Sequence, residues 1–118
     1  MGVTKDPKVE KSNPFQGTWN IYEMELWNED YFNEEVQAYV EIIAGDRGDF
    51  QFGLVCGYLN GYLEQIDEVE RFSFTWEGMD EMDDANGSGW LRLIGSDEVE
   101  GTIAFHRGDR SLFKAKKV

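Results

Sequence analysis

Three groups of residues carry types and spacings that chemistry uses. His106, Asp109 and Ser111 are the side chains of a hydrolase triad, in which an imidazole oriented by a carboxylate takes the proton of an attacking hydroxyl. At offsets of three and five residues across a hairpin turn they would have to fold back on one another, and no glycine-rich elbow of the oxyanion-forming kind accompanies Ser111. A histidine that ends a strand, faces solvent and bonds to its turn is the expected arrangement. No catalytic residue is assigned.

Asp84, Asn86 and Ser88 at alternate positions, with Gly89 sixth, match the first half of a calcium loop of the EF-hand type. The twelfth position is Gly95, which lacks the bidentate glutamate, and a strand pattern follows where a helix is needed. The segment from Glu77 to Gly89 is therefore expected to be a solvated loop, and no metal or cofactor is assigned. One histidine and one cysteine are also too few for a structural zinc site.

Glu23 and Glu25 share a face with Trp19, Ile21 and Trp27 on a regular strand. If that face is interior, the two carboxylates repel, one pKa rises, and Glu23 becomes a polar handle for a ligand. A β-bulge near Glu23 would instead turn Met24 and Leu26 inward and leave both acids in water, and this is the favoured arrangement. Cys56 closes the apolar run Phe50, Phe52, Leu54, where a buried, inert thiol is expected.

Aromatic and β-branched segments that alternate in polarity must position these residues. Strands are predicted over 17–27, 37–44, 48–56, 58–65, 69–77, 88–95, 98–106 and 111–117, separated by Gly, Asp and Asn. The connection around residues 28–37 has room for one short helix, with Asp30 or Asn33 as N-cap. Other connections are too short for helical crossovers, so the strands must pair in sequence as an antiparallel meander. Eight such strands can close into a barrel that leaves no exposed edge. The fold class is all-β, a single up-and-down barrel of about eight strands with at most one short helix. Residues 1–14 form a leader without periodicity, and residues 15–118 form the domain. Arg47-Gly48-Asp49 and Arg107-Gly108-Asp109 fall where one strand gives way to the next. Glycine for positive φ and aspartate for turn bonding explain the tripeptide there, and an adhesion role is not expected.

Composition narrows the partners. Acidic residues number 24 against 11 basic, a net charge of -13, so repulsion opposes binding to nucleic acid or an anionic membrane, and neither is an expected partner. The lone cysteine cannot form an internal disulfide, and no apolar run resembles a signal peptide or a membrane span, which points to a cytoplasmic protein. Eight Phe, five Tyr and four Trp are enough rings to fill a small barrel or to line a pocket in it.

Gly17-Thr18-Trp19 at the first strand, followed by an eight-strand meander, resembles the calycin barrels, the lipocalins and fatty-acid-binding proteins. That resemblance implies a tryptophan closing the barrel floor and a small hydrophobic ligand inside. The chain as a whole resembles a small bacterial family from which no functional residue carries over.

Two functional classes fit. In the first, the barrel binds a small, partly apolar or cationic ligand in an aromatic interior, with Trp19, Phe52, Trp76, Trp90 and Phe105 as walls and Glu23 as handle. In the second, the barrel is filled and its acidic surface docks a basic protein partner. An enzyme has the least support, since no nucleophile and base pair together.

Overall fold

Period-two alternation along the chain becomes eight antiparallel strands in the computed structural model, which describes residues 13–118. They are β1 (Gly17–Met24), β2 (Tyr39–Ala44), β3 (Arg47–Phe52), β4 (Val55–Ile66), β5 (Val69–Asp80), β6 (Asp83–Leu93), β7 (Glu98–Phe105) and β8 (Arg110–Lys117), with one short helix, α1 (Glu29–Phe32), after β1. Each strand pairs with the next, and β8 closes on β1. The predicted all-β meander barrel is the observed fold, and it is compatible with a calycin-like architecture. Among the described residues no helix is long and apolar enough to cross a membrane. Of the expected leader, residues 1–12 lie outside the described residues. Asn13 is already built into the fold, its amide donating to the Gly45 carbonyl and its Oδ1 accepting from Phe15 N.

Several boundaries differ from the sequence expectation, β1 ending at Met24 and not at residue 27 among them, and three differences have a local reason. The chain reverses at Gly53, whose φ is +57°, so β3 ends at Phe52 and not at residue 56. This resets the alternation: Val55, Gly57 and Leu59 face inward, while Cys56 is exposed and not buried as expected. The acidic segment after Glu77 is a ladder, not a loop. Glu77 pairs with Asn86 and Asp80 with Asp83, leaving Glu81 and Met82 as the turn. The helix is capped by Asn28, whose Oδ1 accepts from Tyr31 N at 3.1 Å, and Asn33 sits at its C-terminal end.

Neither Arg-Gly-Asp tripeptide uses its glycine for positive φ. Arg107, not Gly108, takes the left-handed conformation (φ 61°), and Arg47-Gly48-Asp49 lies within β3. A Cβ at Gly48 would lie 2.0 Å from the Glu41 carbonyl oxygen, so close strand approach requires the glycine there.

The interior is filled by side chains. Phe50 meets Trp76 edge-on at 5.0 Å between ring centres, and Trp76 meets Phe105 edge-on at 5.3 Å. Trp76 Nε1 also donates to the Ala104 carbonyl at 3.1 Å. Rings this large fit because two facing positions have no side chain. A Cβ at Gly57 would lie 2.8 Å from the Trp76 ring, and one at Gly87 would lie 1.8 Å from the Ala104 oxygen. Both ends are closed. At one, Trp19 is fully buried and donates to the Phe15 carbonyl at 2.8 Å, with Phe15 packed on Phe72. At the other, Trp27 lies 5.0 Å from Phe52, Phe32 of α1 is buried, and its carbonyl accepts from Gly53 N.

Candidate functional site

Four of the residues expected to line a ligand cavity do face inward, and three of them, Phe52, Trp76 and Phe105, pack on other rings. Phe52 and Phe105 both meet Trp27 near the helical end, Phe105 meets Trp76, and Trp19 closes the far end. Glu23 and Trp90 do not join them. The pairing of β1 with β8 shifts between Ile21 and Glu23, a bulge that buries Met24 and leaves Glu23 and Glu25 exposed. Glu23 is thus no handle for an interior ligand, and Leu26, expected inside with Met24, is 47% exposed. Trp90 points outward because Leu91 occupies the interior; its ring lies under the Arg71 guanidinium, 4.1 Å from the ring centre.

The triad geometry is also absent. Ser111 is fully buried, its Oγ donating to the Leu112 carbonyl and accepting from Leu26 N, whereas His106 is exposed. Asp84, Asn86 and Ser88 run in line along the outer face of an extended strand, so they cannot curl around one ion as a calcium loop does. Among the described residues no three His, Cys, Asp or Glu side chains come together to hold a metal.

The outside of β2–β6 brings together what the sequence keeps apart. Strand register places Glu41, Asp49, Tyr58, Glu77 and Asn86 in one row across five strands. The next row toward the helical end holds Tyr39, Gln51, Cys56, Met79 and Asp84. Tyr58 stands 74% exposed between the carboxylates of Asp49 and Glu77, its direct cross-strand neighbours. Met79 is also exposed, and Met82 at the adjoining turn is 87% exposed. A concavity of about 370 Å³ is lined by Tyr39, Asp49, Cys56, Tyr58 and Met79, and a second of about 350 Å³ by Tyr58, Glu77, Asp84 and Asn86.

The two rows carry acidic and no basic side chains. Asp49 Oδ1 is buried without a hydrogen-bond partner among the described residues. Burial, followed by the charge of the adjacent Asp49, pushes the Tyr39 hydroxyl up to about 12. The surface therefore offers flexible thioethers and an aromatic face inside a rim of carboxylates, which suits a group that is apolar and positively charged at once. The alternation of Tyr58 and Tyr62 with glycine and leucine is legible in the sequence. The partnership of Tyr58 with Asp49 and Glu77 needs the strand register, which no local motif encodes.

No family model, curated protein or solved structure matches this chain. The class rests on the fold: a closed, eight-stranded antiparallel barrel with an aromatic core.

Proposed function

We propose that this chain is a protein-interaction module that docks a basic, partly apolar segment of a partner on the outer face of β2–β6. The observation that carries the proposal is the exposed Tyr58 and Met79 patch, framed by Asp49, Glu77 and Asp84 and mounted on a barrel whose interior is occupied by its own rings. An exposed apolar patch with a charged rim is the usual mark of an interaction surface. Methionines let such a surface adapt to its partner, and the carboxylates select a basic one. A lysine or arginine side chain laid on Tyr58 would meet a ring face and a carboxylate on either side. The interior residues have no comparable freedom, since Phe52, Trp76 and Phe105 are engaged with one another or with Trp27.

The test is a titration of the isotopically labelled protein with a synthetic peptide of alternating lysine and leucine, read by amide chemical shifts. Saturable shifts concentrated at Tyr39, Cys56, Tyr58 and Met79 are expected, together with at least tenfold weaker binding in Glu77→Lys. Shifts scattered over both acidic hairpin tips, unchanged by Glu77→Lys, would show only diffuse charge attraction and refute a docking site.

A further inference from the structure

Next to this face lies a second concavity with a different chemistry. Row by row toward the Trp19 end, the outer surface changes from carboxylates to hydroxyls and amides: Asn60, Thr75 and Ser88 are directly paired across β4, β5 and β6. These three side chains are exposed and floor two adjoining troughs of about 490 and 480 Å³. Asn86 extends the floor on one side and Ser73 on the other. Ser73 Oγ donates to Glu64, which holds that hydroxyl in place at the edge of the trough. The rims are Tyr58 and Tyr62, 74% and 60% exposed. Both are on β4 and four residues apart, so their Cα atoms stand about 13 Å apart along the strand.

The floor between the two rings is uncharged at Asn60, Thr75, Ser88, Asn86 and Ser73, while Glu77 and His106 line the trough on the Asn86 side. It presents amide and hydroxyl groups, each able both to donate and to accept. The polar hydroxyls of a sugar match such a floor, and the C–H faces of its rings pack on flat aromatic side chains, which give large contact area at low conformational cost. The net charge of -13 argues against an anionic ligand, with Arg47, paired with Asn60, as the basic side chain in the same row. A cationic ligand would find its counter-charges in the neighbouring row at Asp49 and Glu77, not on this floor.

We propose that the trough over Asn60, Thr75 and Ser88 binds a neutral oligosaccharide, with Tyr58 and Tyr62 as stacking platforms at its two ends. The spacing of the rings calls for a linear chain of linked pyranose units and not a monosaccharide, which would reach one ring only. This site goes beyond docking of a basic segment. It shares Tyr58, Glu77 and Asn86 with that face, while Tyr62 belongs to the trough alone.

The experiment titrates the full chain with cellohexaose and with hexa-N-acetylchitohexaose, two neutral linear probes, following amide chemical shifts up to about 10 mM, tenfold above a Kd of about 1 mM. Saturable shifts at Asn60, Tyr62, Thr75 and Ser88 are expected with at least one probe. Tyr62→Ala should weaken that binding at least tenfold, with the shift dispersion of the folded barrel retained and binding of the lysine–leucine peptide unchanged. Glu77→Lys should do the reverse, disturbing the peptide more than the sugar. Absence of saturable shifts with both probes, or saturable shifts that Tyr62→Ala leaves intact, would overturn the assignment.

Discussion

Trp19 shows how the place of one residue can be legible in the sequence. The resemblance of Gly17-Thr18-Trp19 to the opening of calycin barrels implies a barrel plug, and Trp19 is fully buried with its indole N–H bonded to Phe15. The same aromatic richness that suggests a ligand cavity is used instead to fill the barrel. Replacing Trp19 with Ala removes a large buried ring and orphans the Phe15 carbonyl, and the loss should be about 3–5 kcal/mol by chemical denaturation. A near-neutral result would mean that this end of the barrel is not held by the ring. Tyr22 and Tyr39 supply a second test at this scale. The hydrogen bond to Glu98 pushes Tyr22 up to about 12, and burial beside Asp49 does the same for Tyr39. In the unfolded chain both should ionise near 10. The folded state therefore holds more protons between pH 10 and 12, so the contribution of these residues to stability is complete below pH 10 and is lost as pH rises through that window. Phenolate absorbance should show two of the five tyrosines titrating late, and denaturant should return both to the ordinary range. Persistence of the late titration in the denatured chain would rule out the folded contacts with Glu98 and Asp49 as its cause.

Strands and their order can be read from alternation, because a half-buried strand writes its two faces into a period of two. The faces beyond each turn cannot, because a shift of a single residue exchanges inside for outside. At Gly53 and Leu54 that exchange moves Cys56 from the expected core to the surface. The bulge expected near Glu23 does fall between Ile21 and Glu23 and leaves both glutamates in water, whereas in β6 the unforeseen parity turns Trp90 out and Leu91 in. The acidic stretch after Glu77 misleads for a related reason. Its Asp, Asn and Gly content has the composition of a loop, yet the acids lie at positions where they can face solvent while Gly78, Ala85 and Gly87 fit beneath. The exposed thiol gives this parity a direct check. Cys56 should react with one equivalent of a thiol reagent in the native protein, at a rate close to that of the denatured chain. Protection that disappears only on unfolding would return Cys56 to the core and displace the turn at Gly53.

At the scale of the whole molecule, the charge of -13 acts in two opposite directions, and that separates stability from function. Within the free barrel, like charges at the hairpin tips and across Glu41, Asp49 and Glu77 repel one another and weaken the compact state. Raising ionic strength from about 0.01 to 0.15 M shortens the Debye length from about 30 to 8 Å, which screens that repulsion at the separations between strands and loops. The melting temperature of the free protein should therefore rise with salt. Docking of a basic segment against Asp49 and Glu77 depends on attraction across the same distances, so its association rate and affinity should fall over the same range. A neutral oligosaccharide in the Asn60 trough has no charge to screen, and its affinity should stay nearly constant. Measuring the melting temperature and the two affinities across one salt series gives three responses with different signs. If the peptide binds equally well at both salt concentrations while the melting temperature rises, the carboxylate rim is not the recognition element and the docking face must rest on its apolar centre alone.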